Sequence, residues 1–185
     1  TATRAPAPAS SSAIPRPMPR PPPVTSATLP ASSVSEDILP GSYADSVSAD
    51  DEKRLAGEAA AELVEDGMLV GLGTGSTVAH FLPAIAHRGL RLRCVATSLQ
   101  TESAARELGL PVEPFDELDQ LDIAVDGADQ VAPDRWLVKG GGAAHTREKI
   151  VAAAAERFVV IVSSDKLVER VEPPIPLELL AYGLA

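Results

Sequence analysis

The sequence predicts an α/β fold, an open, mostly parallel sheet with helices on both faces, and three features predict it. From residue 48 onward, short apolar runs alternate with stretches of helical spacing. Two of those runs, Met68 to Leu72 and Leu121 to Val125, pass directly into glycine-bearing turns, as strands do at the ligand-binding edge of such sheets. A third run, FVVIVS at 158 to 163, is almost wholly apolar, as a strand covered on both faces requires. The 185 residues, 45% of them hydrophobic, suffice for one sizeable core, placed at 48 to 185.

Residues 1 to 47 stand apart. They hold most of the 17 prolines amid Ser, Ala and Thr and show no apolar period. Such a stretch cannot bury enough surface to offset the entropy of ordering, so it reads as a disordered extension. Arg4, Arg16 and Arg20 precede the first acid, Glu36, a bias shared with organelle transit peptides; a plain linker is the competing reading.

From Ser48, SADDEKRLAGEAAAELVEDG predicts an amphipathic helix with acids at its start, Leu55, Ala59 and Leu63 as its apolar stripe, and Gly67 as its stop. Lys53 lies in the first turn, off that stripe, where spacing alone reads it as a solvated surface lysine. Met68 to Leu72 then forms a strand, GTGST at 73 to 77 a tight turn, and VAHFLPAIAHRG a helix. Unpaired N–H groups and the helix dipole converge at such a turn, which suits a phosphate. A dinucleotide site needs a third glycine where Ser76 stands and an acid after the next strand, which ends CVATS; a nucleotide P-loop needs a lysine before Ser76 or Thr77. What survives is a small-molecule phosphate site using the Thr74, Ser76 and Thr77 hydroxyls and neighbouring N–H groups, or a purely structural turn.

Leu90 to Ala96 reads as the next strand, TSLQT as a polar loop at its carboxyl end, and Thr101 to Leu108 as a helix closed by Gly109. Pro111 to Asp119 is loop with at most one short strand. Leu121 to Val125 brings Asp126 and Asp129 of DGAD to the same sheet edge. Three readings fit these aspartates: an Asx-type turn, a divalent-metal pair short of further ligands because His145 has no partner histidine, or hydrogen bonds to sugar hydroxyls with proton transfer during ring opening.

Trp136 to Lys139 reads as a strand that opens KGGGAAHTREK. Three successive glycines remove every side chain, so main-chain N–H groups can meet a ligand directly. The helix Ala144 to Arg157 follows, with Ile150, Val151 and Ala154 inward and Glu148 on the face looking back at the glycines. On spacing alone Glu148 is an ordinary charged residue. FVVIVS leads to Asp165 and Lys166 at another carboxyl end, and after Pro173, Pro174 and Pro176 a further helix begins.

The net charge of −10 argues against nucleic acid or an anionic membrane as partner, though one local cationic site can still hold a phosphorylated small molecule. Cys94 stands alone, so there is no internal disulfide and no thiolate cluster for zinc. No apolar run nears the ~20 residues that span a bilayer. A soluble, cytoplasmic protein is expected, or an organelle-targeted one if residues 1 to 47 act as a transit segment.

With GLGTGST, TSLQT, DGAD, KGGGAAHTREK and SSDK in this order, the chain from about residue 50 to 185 resembles the A-type ribose-5-phosphate isomerase family. The resemblance implies a fold shared with CoA-transferases and sugar-phosphate-sensing regulators. It implies interconversion of ribose 5-phosphate and ribulose 5-phosphate, in the non-oxidative pentose phosphate branch, without metal or organic cofactor, and a homodimer or homotetramer in the complete protein. Matched motif by motif, Thr74, Gly75, Ser76 and Thr77 hold the phosphate with Lys53 and Lys166. Asp126, Gly127, Ala128 and Asp129 contact sugar hydroxyls, the two aspartates assisting ring opening. Lys139, Gly140, Gly141 and Gly142 line the substrate, and Glu148 is the proton acceptor.

The chemistry asks for a carboxylate made more basic by partial dehydration, with Lys139 stabilising the developing oxyanion. A cation too close would make Glu148 less basic, so Lys139 is expected to face the substrate oxygens instead. Gln130 stands where the family usually has glutamate, and the small α+β domain into which the family continues is expected to be missing here. Competing readings are a sugar-phosphate-binding module, a CoA-transferase and an inactive isomerase fragment.

Overall fold

A computed structural model describes residues 24–25, 47–115 and 120–179. The expected disordered extension therefore lies almost wholly outside the described residues. Within it, β1 (Val24–Thr25) pairs in parallel with a later strand, where the sequence predicted no regular structure; that strand offers an open edge of backbone donors and acceptors.

Ser48 caps α1 (Ala49–Ala61), its hydroxyl accepting from the Asp51 N–H at 3.1 Å, and Asp50, Asp51 and Glu52 lie at the positive end of the helix dipole. The helix ends at Ala61, well short of Gly67, and the Arg88 guanidinium donates to the carbonyls of Ala61 and Val64. The expected stripe is rotated. Leu55 is 43% exposed, and the packed face is Gly57, Ala60 and Ala61. Gly57 sets that face, because a Cβ there would lie 2.7 Å from the backbone nitrogen of Phe81 in the crossing helix α2 (Val78–His87).

The remaining elements are β2 (Leu69–Leu72), β3 (Arg93–Ala96), α3 (Leu99–Glu107), β4 (Leu121–Asp126), β5 (Gln130–Val131), β6 (Leu137–Val138), α4 (His145–Ala154), β7 (Ala155–Val160) and a 3-10 turn at Ser164–Lys166. The main sheet is parallel throughout, in the order β1-β7-β4-β2-β3. The chain passes from β2 outward to β3 and then back across to β4 on β2's other side. The carboxyl ends of β2 and β4 thus form the point where the winding reverses, the place at which open α/β sheets bind ligands.

Four expectations shift. TSLQT is not loop: Ser98 caps α3 by accepting from the Thr101 N–H at 3.1 Å, so Leu99 to Thr101 are its first turn. The strand around Trp136 belongs to a separate antiparallel hairpin, β5 with β6, paired Gln130 to Val138 and Val131 to Leu137. Helix α4 stops at Ala154 rather than Arg157, and β7 begins at the very next residue. Ile150 is 46% exposed while Val151 is 4%, because Val151 seats in a notch where a Cβ on Gly71 would come within 2.5 Å of it.

The core has two parts. One side of the sheet carries Val70, Leu72, Ile123 and Val125 against Ala60 and Val64 and against Phe81 and Ile85 of α2; Cys94 of β3 is wholly buried there. The other gathers Val95, Ala124 and Phe158 around Val151 of α4, so helices cover both faces as predicted. Beyond the 3-10 turn the chain runs beside β5, where the Val168 N–H donates to the Val131 carbonyl at 3.0 Å and the Gln130 amide makes two 2.9 Å bonds to the Glu172 backbone. Residues 174 to 179 are not helical; the rest of the expected last helix lies outside the described residues.

Candidate active site

Sheet bonding continues one residue past the strands at the reversal point. Gly73 N–H donates to the Val125 carbonyl and Ile161 N–H to the Asp126 carbonyl, both at 2.9 Å, which seats Asp126 against Gly73. Only glycine fits there, since a Cβ at 73 would stand 2.2 Å from Asp126 Oδ1. Asp126 is 2% exposed. Its Oδ1 accepts from the N–H groups of Thr74 at 3.0 Å and Gly127 at 2.7 Å, an Asx-like turn, while Oδ2 lies 2.9 Å from Lys139 Nζ.

Lys139 joins the parts. Its ammonium donates to the Gly127 carbonyl and sits 3.3 Å from Glu148 Oε2. The expectation that Lys139 would turn away from Glu148 is therefore corrected. The cause is the tight glycine loop: Ala143 N–H donates to the Gly140 carbonyl at 3.0 Å, with Gly140 at φ 102 and Ala143 at φ 57, and α4 is folded back onto the lysine. Glu148 is 4% exposed, and among the described residues its Oε2 has no hydrogen-bond partner; the lysine is near enough for an ion pair but not aligned as a donor. Burial raises the Glu148 pKa above the ordinary carboxylate range and the neighbouring Asp126 charge raises it further, against opposing effects of Lys139 and His145.

The glycine turn after β2 is built differently. Thr74 Oγ1 is 2.8 Å from Thr97 Oγ1 and 3.3 Å from Thr101 Oγ1, and Thr101 donates to the Gly73 carbonyl at 2.8 Å. The Thr74 hydroxyl is thus engaged inside the protein. Gly75, at φ 119, and Ser76 are exposed and Thr77 is buried; no acceptor among the described residues meets the N–H groups of 75 to 78. Thr97 and Thr101, which pin this turn, were missed as site residues; their signal was a polar pair in TSLQT at the end of a buried strand.

Asp129 is exposed and its Oδ2 accepts from Gly141 N–H at 2.9 Å, while the N–H groups of Gly140 and Gly142 meet no acceptor among the described residues. Ala128 is half-buried beside them. Lys53 and Lys166 make no hydrogen bond or ion pair to residues 74 to 77. Lys166 pairs with its neighbour Asp165 at 2.9 Å, and Glu52 bonds Ser164 through both its N–H and its hydroxyl, which ties the helix start carrying Lys53 to the turn carrying Lys166. Among the described residues no three of His, Cys, Asp and Glu converge as metal ligands. Cys94 is fully buried, with its thiol pushed up to about 12 by that burial, so it supplies no thiolate. No helix among the described residues is long and apolar enough to cross a membrane.

Three comparisons bear on this arrangement. The model of the family described as Ribose 5-phosphate isomerase A (phosphoriboisomerase A) matches residues 93–185. A ribose-5-phosphate isomerase A of Caulobacter vibrioides is 52% identical over 139 residues, 74% of this chain and 61% of that protein. The chain therefore spans less than two thirds of the length of that relative. Among solved structures, ribose 5 phosphate isomerase A from Neisseria gonorrhoeae superposes with a TM-score of 0.66 at 38% identity, covering 68% of this chain and 56% of that one. A D-ribose-5-phosphate isomerase solved in complex with phospho-erythronic acid gives 0.64 at 41% identity, covering 66% and 56%.

Proposed function

The chain belongs to the ribose 5-phosphate isomerase A family, and from that premise we propose that it interconverts D-ribose 5-phosphate and D-ribulose 5-phosphate through an enediolate. The phosphate is held by the unpaired N–H groups of 75 to 78 with Ser76 and Thr77, at the amino end of α2. A phosphorylated sugar acid bound to a related isomerase supports that class of ligand. In this reading Lys53, at the start of α1, and Lys166, in the 3-10 turn bonded to it through Glu52 and Ser164, add positive charge for the phosphate.

At the other end, Glu148 takes the proton from C2 of the open-chain aldose. The O2 hydroxyl proton passes to O1, and Glu148 returns its proton to C1, giving the ketose. Lys139 and the free N–H groups of the glycine loop offset negative charge on the oxygens as it develops. Asp126 fixes the lysine, and the exposed Asp129 serves the sugar hydroxyls and ring opening. The observation that carries this reading is the buried Glu148 carboxylate, whose Oε2 accepts no hydrogen bond among the described residues and which its surroundings make more basic. A module that only bound a sugar phosphate would have no use for it.

The test is the rate of ribulose 5-phosphate formation from ribose 5-phosphate by the chain beside Glu148→Ala. Turnover lost by at least about 100-fold in the variant, with sugar-phosphate binding kept, is the expected result; equal rates would remove Glu148 as the base. Exposed Trp136, Leu167 and Leu177 support self-association, dimer or tetramer, which light scattering measures. A cytoplasmic site of action accords with a lone, buried thiol.

A further inference from the structure

Helix α4 carries Glu148 in its first turn, yet its own N-cap residue, Ala144, supplies no side-chain bond to the open N–H groups. The bond comes from 32 residues downstream: Thr146 N–H donates to Glu178 Oε2 at 2.5 Å. A carboxylate at this end also complements the helix dipole, and the contact holds the Glu178 carboxyl below its ordinary range, the Thr146 bonds first among the causes and His145 adding to them. Apolar packing does not hold this segment, because Leu177 and Leu179 are 82% and 71% exposed. It is fastened upstream, at Val131 and through the two hydrogen bonds between the Gln130 amide and the Glu172 backbone, to the hairpin that leads into Lys139. The segment thus joins the element behind the lysine to the helix bearing the glutamate.

We infer that Glu178 is a positioning residue: by capping α4 from a distance it holds Glu148 in its buried place against Lys139. The catalytic part of this inference rests on the isomerase reading above; the structural part does not. The same bonds give Gln130 a purpose that glutamate could not serve, since a carboxylate has no N–H to offer the Glu172 carbonyl.

The experiment compares the chain with Glu178→Ala and Glu178→Gln by three readouts: amide exchange at Thr146, the carbon-13 titration of the Glu148 carboxyl, and kcat and KM for ribose 5-phosphate. In the alanine variant, exchange at Thr146 rises about fivefold, the size of effect a lost cap produces. The Glu148 midpoint falls toward the ordinary carboxylate range, and kcat drops about tenfold with KM changed less than about twofold. The glutamine variant, which keeps an acceptor oxygen, recovers most of each loss. An unmoved Glu148 titration in Glu178→Ala overturns the inference, as does an unmoved kcat in an active protein. If the parent chain has no turnover, the isomerase reading fails, while exchange and titration still decide whether Glu178 holds the helix.

Discussion

Asp126 and Asp129 lie three positions apart and share a device. Each carboxylate rests where a glycine leaves room, Asp126 against Gly73 and Asp129 against Gly141, and each accepts backbone N–H bonds. Their surroundings differ. Asp126 is 2% exposed and locked to Lys139, while Asp129 is open to solvent on the rim of the glycine loop. The same residue type in the same motif thus does two jobs, because burial rather than identity decides whether a carboxylate organises charges or meets a ligand. The buried one sets the electrostatics of the site, and the exposed one is left free to engage what enters it.

Truncating the two residues separates them most. Asp126→Ala removes the nearer of the two carboxylates beside Lys139 and leaves two half-buried backbone N–H groups without their acceptor, and is expected to cost about 3 kcal/mol in urea denaturation and about 100-fold in kcat. Asp129→Ala is expected to change stability by no more than about 0.5 kcal/mol while raising KM about tenfold. Equal stability losses would erase the distinction. The glycines repeat the contrast more gently. Gly73→Ala places a Cβ 2.2 Å from a carboxylate that cannot move and should cost about 2–3 kcal/mol; Gly141→Ala meets Asp129 at 2.6 Å, but that side chain can swing outward, so about 1 kcal/mol or less is expected by the same assay.

The smallest effect is electrostatic and reads on Glu148. Asp126→Asn withdraws the neighbouring charge that helps raise the Glu148 pKa, so the acid limb of kcat/KM moves to lower pH; Asp129→Asn leaves the limb in place. The stability of the parent has a matching slope. Glu148 keeps its proton to higher pH folded than unfolded, so stability falls as pH rises from the ordinary carboxylate range through the raised Glu148 value, and Glu148→Gln flattens that fall in thermal melts at pH 4 and pH 7.

Much of this was legible in the sequence where local chemistry is strong. The strand, glycine turn and helix at 68 to 87, the emergence of DGAD from a buried strand, and the glycine loop before Glu148 all follow from apolar runs that end in turn residues. The border between α4 and β7 did not, because it falls in a run of alanines at 152 to 155 with no glycine or proline to mark it. The hairpin strands β5 and β6 are two residues each, too short to carry a period. Side chains also escaped where distant contacts decide: Leu55 and Ile150 have the spacing of core residues but are turned out, Leu55 because Gly57 of its own helix meets α2 and Ile150 because Val151 seats against Gly71 of β2. The Lys139–Glu148 contact and the capping of α4 by Glu178 depend on chain folding that no local spacing encodes.

Cys94, the chain's single cysteine, lies wholly buried on β3, the last strand of the sheet, with a thiol pushed up to about 12. A thiol-reactive dye in neutral buffer therefore finds almost nothing to label while β2 and β3 stay paired. Each modified molecule records one release of that edge of the sheet, so the speed of labelling is a stopwatch for that event, with no engineered tag and no background from a second site.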